Sequence, residues 1–280
     1  MLAYRHQFHA GNFADVFKHS LLTRLLLLLA QKDKPFCYLE THAGIGRYDL
    51  THPWAQKLTE YQQGISRIWQ RTDVPELLVP YMQIVRAQNK NSQLRFYPGS
   101  PLIAHELMRA TDRMVLVELN KEDCARLARV FAEDGRVKVV NDDGYHALKA
   151  YLPPHERRGL TLVDSSFDRA GEFERLSDAL VLIHRRFATG VYGLWYPLME
   201  PPTMHHFERV VAASGVRKIL QAELSLFSPK WRATLRGCGM LVVNPPFGFE
   251  QQARTVLEWL WPALSESGEG GVRLRWLVPE

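Results

Sequence analysis

Residues 38–48 read Tyr38-Leu39-Glu40-Thr41-His42-Ala43-Gly44-Ile45-Gly46-Arg47-Tyr48. A short apolar strand, predicted over Phe36–Glu40, ends in an acid and opens into a loop holding two glycines. Glycine lacks a Cβ and tolerates positive φ, so such a loop lets backbone come close to a ligand. In open α/β sheets ligands sit beyond the carboxyl ends of the strands, which makes this loop the place to look for a cofactor. The G-x-G-x-x-G dinucleotide fingerprint is not met, because its third glycine is missing. A strand followed by acid-x-x-x-Gly-x-Gly suits an adenosyl ligand without a pyrophosphate, of which S-adenosyl-L-methionine is the commonest. The competing reading is an ordinary strand-to-helix turn.

Outward from this loop, apolar β-prone segments alternate with helical ones. Strands are predicted at Phe36–Glu40, Met114–Glu118, Val137–Val140, Leu160–Asp164, Val191–Tyr196, Lys218–Glu223, Met240–Asn244 and Arg273–Val278. Helices are predicted at Phe13–Gln31, Lys121–Glu133, Gly144–Tyr151, Glu172–Phe187, Met204–Ala213 and Phe249–Leu260. The alternation implies an α/β fold, a mostly parallel seven- or eight-stranded sheet with helices on both faces and an antiparallel strand near one edge. About 65 residues separate the glycine loop from the second strand, more than a usual crossover needs. Residues 53–95 read as two or three helices, with Tyr61, Ile65, Ile68, Trp69 and Tyr81, Ile84, Val85 at helical spacing. The expected organisation is a main domain of residues 1–52 and 96–280 carrying a helical insertion at 53–95.

Composition narrows the class. The chain has 280 residues, 46% of them hydrophobic, and 35 basic against 30 acidic residues for a formal charge of +5. A mild basic excess favours an anionic partner only with local support. The three cysteines, Cys37, Cys124 and Cys238, are far apart and form no C-x-x-C pair, so neither a disulfide framework nor a zinc site is indicated. A reducing, cytoplasmic setting fits. The longest apolar run, Leu25 to Ala30, is far too short to span a bilayer. It reads as part of a buried helix, and no membrane partner is expected.

Acids close several of the strands: Glu40, Glu118 and Asp164. An acid like Glu118 accepts hydrogen bonds from ribose hydroxyls in nucleotide-binding sheets; otherwise it complements a helix N-terminus. In Asn141-Asp142-Asp143-Gly144, Asp143 is placed to accept from an adenine amine or to cap the next helix. The fourth strand runs into Asp164-Ser165-Ser166-Phe167. An acid here with an aromatic three residues on is the layout of amino-methyltransferases. A carboxylate and a backbone carbonyl hold the hydrogens of a poorly nucleophilic ring amine, the aromatic stacks on a flipped base, and positioning supplies much of the rate. Asn244-Pro245-Pro246-Phe247 matches the same tetrapeptide better as a string, but it follows the seventh strand rather than the fourth, so Asp164 is preferred. The segment Tyr4–His19 interleaves aromatics, histidines and bases as a flipped-base contact would. Its histidines His6, His9 and His19 lack the spacing of a zinc site. Asn12 or Asp15 is the expected cap of the following helix. Ser100, in Tyr97-Pro98-Gly99-Ser100-Pro101, caps a helix or contacts a ligand, and the residues alone do not choose. Arg5, Lys18, Arg47 and the insertion are the proposed RNA contacts.

Over essentially its full length the chain resembles the RlmJ-type 23S ribosomal RNA adenine-N6 methyltransferases. The resemblance rests on Tyr-Arg-His-x-Phe-His-Ala-Gly-Asn at 4–12, Ala-Asp-Val at 14–16, Lys18-His19, Thr-His-Ala-Gly-Ile-Gly-Arg-Tyr at 41–48, Tyr-Pro-Gly-Ser-Pro at 97–101, Arg-Phe-Ala-Thr-Gly at 186–190 and Leu-Trp-Tyr-Pro at 194–197. It implies a Rossmann-like methyltransferase fold, S-adenosyl-L-methionine as methyl donor, and as substrate an adenine of 23S rRNA, protein-free or in an early assembly intermediate. A monomer without metal is expected. It implies cofactor contacts at His19, His42, Ser100, Glu118, Asp143, Gly144 and Asp164, the last also catalytic, with Tyr4 and Phe167 near the target base. One departure lies in the site: the family's Asp-Pro-Pro-Tyr is Asp164-Ser165-Ser166-Phe167 here. That removes the prolines that pre-set the backbone, and it leaves open a catalytically impaired RNA-binding member of the same fold.

Overall fold

In a computed structural model, residues 5–228 and 235–280 are described. Ten strands form: β1 (Cys37–Glu40), β2 (Arg47–Asp49), β3 (Phe96–Pro98), β4 (Arg113–Val117), β5 (Val137–Val140), β6 (Gly159–Val163), β7 (Val191–Pro197), β8 (Ile219–Ser225), β9 (Gly237–Val243) and β10 (Gly271–Val278). Eight of them build one sheet in the order β10-β8-β9-β7-β6-β1-β4-β5. The pairs β4–β5, β1–β4, β1–β6 and β6–β7 are parallel, while β7–β9, β8–β9 and β10–β8 are antiparallel. All eight expected strands are present. Beside them lies an antiparallel hairpin, β2–β3, that the sequence reading missed.

The helices are α1 (Phe13–Ala30), α2 (Pro53–Leu58), α3 (Ile65–Trp69), α4 (Val79–Ala87), α5 (Ser100–Leu107), α6 (Lys121–Val130), α7 (Gly144–Tyr151), α8 (Glu172–Arg186), α9 (Pro201–Ala212) and α10 (Phe249–Leu264). Side chains alternate across a strand, and the core divides accordingly. Tyr38, Met114, Leu116, Leu160 and Leu162 point to one face with α1, α5, α10 and the helices of 53–95. Leu39, Val115, Val117, Val163 and Leu194 point to the other, under α7, α8 and α9. Helix α1 is buried nearly all round, as expected of a helix inside a core rather than on it. It is capped as expected, Asn12 Oδ1 accepting from Asp15 N at 2.9 Å.

Two parallel strands set the site. β1 and β6 are neighbours, with Glu40 opposite Leu162. Their following loops, residues 41–46 and 164–168, therefore emerge side by side. β1 is also where the strand order reverses, and ligands of open α/β sheets bind at such a point.

Candidate active site

The loops after β1, β4, β5 and β6 and the start of α1 enclose a cleft of about 640 Å³. His19, His42, Ser100, Glu118, Asp143, Gly144, Asp164 and Phe167 all line it. Its size suits a small-molecule cofactor. Tyr4 lies outside the described residues.

At the end over β4 and β5, the glycine loop is tied to Glu118. Gly44, at φ +62°, donates its N–H to Glu118 Oε2 at 2.8 Å, and Asn120 N donates to Oε1 at 2.8 Å. A Cβ on Gly44 would stand 2.3 Å from the Tyr48 hydroxyl, so the turn needs glycine twice over. Burial pushes the Glu118 carboxyl up, partly offset by those two backbone bonds. Each oxygen keeps acceptor capacity facing the cleft. Asp143 caps α7, its Oδ1 accepting from Tyr145 N at 2.9 Å and His146 N at 3.1 Å. Gly144 packs so close to β1 that a Cβ there would lie 2.1 Å from the Thr41 carbonyl oxygen. His42 bonds Thr41 Oγ1 through Nδ1 at 2.8 Å, and burial lowers its pKa.

The opposite end is a buried charge network on α1. Lys18 Nζ lies 2.6 Å from Asp164 Oδ2 and 2.9 Å from Asp15 Oδ1. Asp15 Oδ2 in turn contacts His6 Nε2 at 2.9 Å and accepts from Gly11 N at 2.9 Å. Burial alone would push Lys18 down, but Asp15 and Asp164 outweigh it and hold the ammonium well above its usual range. Burial likewise pushes Asp15 up, yet His6, Lys18 and His19 hold it well below the usual carboxylate range. A charge pair buried this deeply survives only with partners on both sides.

Behind the network sit Glu40 and His19. Glu40 is fully buried and accepts from Tyr38 OH at 2.9 Å and from Ser100 Oγ. Burial raises its pKa to about 8 against those hydrogen bonds. Ser100 is thus the first residue of α5, with Gly99 at the cap position, and its hydroxyl holds an acid rather than capping the helix. His19 is 1% exposed and burial lowers its pKa. Its Nδ1 meets Tyr97 OH at 2.8 Å, whereas Nε2 is buried with no hydrogen-bond partner. An unpaired buried ring nitrogen lining a cleft fits a polar ligand atom.

Phe167 takes φ +52°, a conformation rare for a bulky residue. Its ring meets Phe173 at 4.9 Å and Trp195 at 5.9 Å, edge to face in both cases. Asn244 is elsewhere. β9 runs antiparallel to β7, so its end falls on the opposite edge of the sheet. There Asn244 Nδ2 donates to Ala188 O and Gly190 O, both at 2.8 Å.

The expected RNA contacts need correction. Lys18 is 4% exposed and committed to two carboxylates, because a cation in an otherwise apolar helix needs buried partners. Arg5 bonds Asp123 at 2.8 Å. Arg47 remains on the surface, its guanidinium 4.5 Å from the centroid of Phe96. What the sequence reading missed is the pairing of Lys18 with Asp15 and Asp164. Its signal was present: charges at i and i+3 in an apolar helix. Among the described residues no group of metal-ligating side chains could hold an ion, and no helix is long and apolar enough to cross a membrane.

A family model described as "RsmJ: Ribosomal RNA large subunit methyltransferase D, RlmJ" matches residues 33–278. The chain is 44% identical over 280 residues to "Ribosomal RNA large subunit methyltransferase J" of Escherichia coli (strain K12), covering 100% of both. It is 40% identical over 281 residues to the protein of that name from Haemophilus influenzae (strain ATCC 51907 / DSM 11121 / KW20 / Rd), again covering 100% of both. A crystal structure of a protein from Legionella pneumophila str. Philadelphia 1 matches with TM-score 0.89 at 37% identity, over 96% of this chain and 98% of that one. A probable spermidine synthase from Corynebacterium glutamicum, at 12% identity and TM-score 0.50 over 97% of this chain and 77% of that one, shares the fold alone. The chain therefore belongs to the RlmJ family of ribosomal RNA large subunit methyltransferases.

Proposed function

We propose that the protein transfers a methyl group from S-adenosyl-L-methionine to the exocyclic N6 amine of an adenine in 23S rRNA. The observation that carries this reading is Asp164: a carboxylate at the end of β6, beside the glycine loop after β1, with one oxygen held by Lys18.

Glu118, Asp143, Gly144 and His42 would hold the adenosine half of the cofactor, and His19 and Ser100 the amino-acid half. Bound there, the cofactor supplies an electrophilic sulfonium methyl group. The adenine amine is a weak nucleophile because its lone pair is delocalised into the ring. Asp164 uses Oδ2 for Lys18, which leaves Oδ1 to accept an amine hydrogen. The Ser165 carbonyl is the second acceptor, and together the two favour a pyramidal nitrogen whose lone pair faces the methyl. Phe167 stacks on the extruded base, and Tyr4 approaches it from the N-terminus. Lys18 keeps Asp164 ionised, so this carboxylate is an orienting acceptor more than a base. The N–C bond forms as the S–C bond breaks, S-adenosylhomocysteine leaves, and the now acidic amine gives its extra proton to Asp164 or water. Geometry of this kind supplies rate by positioning, and the Ser165-Ser166 pair still offers the carbonyl that positioning uses.

Residues 53–95 act as a helical insertion braced on α1. The protein works as a cytoplasmic monomer on RNA that is protein-free or early in assembly. The test is incubation with S-adenosylmethionine and either transcribed 23S rRNA or assembled large subunits, followed by nucleoside mass spectrometry. N6-methyladenosine in the free RNA supports the reading. Its absence, or a methyl on another base, overturns it.

A further inference from the structure

Three buried groups form a chain that ends in the cleft. Tyr81 OH, on α4, lies 3.0 Å from Tyr97 OH, on β3. Tyr97 OH lies 2.8 Å from His19 Nδ1, on α1, with the two rings stacked at 5.5 Å. Tyr81 and Tyr97 are 0% exposed and His19 is 1% exposed, so none of these hydroxyl hydrogens can turn to bulk water.

Proton accounting chooses a direction along the chain. Each tyrosine has one hydrogen to donate, and a neutral imidazole has one. If His19 carried its hydrogen on Nδ1, it would donate to Tyr97, and Tyr97 would donate to Tyr81. The Tyr81 hydrogen would then be buried without an acceptor, since its hydroxyl has no other bond among the described residues. A buried unpaired donor costs more than a spare lone pair. In the reverse direction Tyr81 donates to Tyr97, Tyr97 donates to Nδ1, and both hydroxyls are satisfied. The hydrogen of His19 is then on Nε2, the atom that lines the cleft and has no partner. The nearest charge agrees: Asp15 Oδ1 is 3.9 Å from Nε2, too far to bond but negative.

We infer that Tyr97 and Tyr81 are positioning residues that fix His19 as a Nε2–H donor, aimed at the carboxylate of the amino-acid end of the methyl donor. The inference rests on the cofactor reading proposed above and deepens it. It also gives the helical insertion a task at the active site. Tyr81 lies within residues 53–95, and through one hydroxyl pair it reaches the cofactor cleft from a segment that supplies few of its walls.

Two probes separate this role from plain packing. S-adenosylhomocysteine carries the amino-acid end, and 5′-methylthioadenosine lacks it. Calorimetry on Tyr97→Phe should show S-adenosylhomocysteine affinity reduced about tenfold, the loss of one hydrogen bond, with 5′-methylthioadenosine affinity unchanged. Tyr81→Phe should show the same pattern with a smaller loss. Nitrogen-15 NMR of the ligand-free wild type should show His19 protonated at Nε2 and not at Nδ1. A wild-type His19 protonated at Nδ1 overturns the inference without any variant having to fold. Equal losses for both probes, or no loss, overturn it as well. Wild-type protein that binds neither probe overturns the cofactor reading and the carboxylate contact with it. The tautomer is still read in the free protein, so the two failures are separable.

Discussion

Lys18 Nζ stands 2.6 Å from Asp164 Oδ2 across 146 residues of sequence. The contact joins the buried face of α1 to the end of β6, and so couples the packing of an apolar helix to the placement of one carboxylate. Lys18 also neutralises Asp15, so one ammonium serves two acids.

Removing that ammonium should hurt stability and activity together. Lys18→Met leaves Asp15 and Asp164 without their cation, and breaking a buried pair costs on the order of 3–5 kcal/mol. Denaturant unfolding should show this loss, and kcat should fall by about 100-fold through misplacement of Asp164. Adding Asp164→Asn should restore part of the stability and none of the transfer. Lys18→Met with wild-type kcat contradicts the positioning role.

Glu40 should leave a signature in the pH dependence of stability. Its pKa rises from about 4.5 in the unfolded chain to about 8 in the fold. Between those values the folded state binds the proton that the unfolded state has released. The contribution is therefore present below pH 4.5 and is lost as pH rises through 8. Glu40→Gln should flatten the decline in Tm over that window, and a variant curve parallel to wild type would refute the assignment.

Gly144 is predicted to tolerate no side chain. A Cβ would lie 2.1 Å from the Thr41 carbonyl oxygen, and backbone cannot yield as a side-chain tip can. Gly144→Ala should cost roughly 1–3 kcal/mol in chemical denaturation. It should also weaken S-adenosylhomocysteine binding, because α7 carries Asp143 toward the cleft.

Asn244 offers a control at the other edge of the sheet. Asn244→Ala removes two bonds to Ala188 and Gly190 carbonyls, for about 1–2 kcal/mol of stability. Methyl transfer per folded molecule should be unchanged. Lost transfer in a stably folded Asn244→Ala protein would reverse the assignment of the two tetrapeptides.

The eight sheet strands were legible because each is an apolar run bounded by turn residues, and the glycine loop announced the site edge. The β2–β3 hairpin was not, since Arg47–Asp49 and Phe96–Pro98 are three residues each, too short for an alternation pattern. Local sequence also identified the acids that close β1, β4 and β6, because strand ends carry their own signal. It could not show that Lys18 faces Asp164, or that Tyr81 and Tyr97 lead to His19. Those contacts exist only once α1, the hairpin and the helices of 53–95 share one core. Ser100 shows the same limit: a serine at a helix start suggests a cap, and only the fold reveals Glu40 beside it.

The most direct test of the account is transfer of labelled methyl from S-adenosylmethionine to unmodified 23S rRNA by wild type and by Asp164→Ala, both checked for cooperative unfolding. The account predicts label in N6-methyladenosine for wild type and background for the variant. An Asp164→Ala protein that forms N6-methyladenosine at the wild-type rate would contradict it.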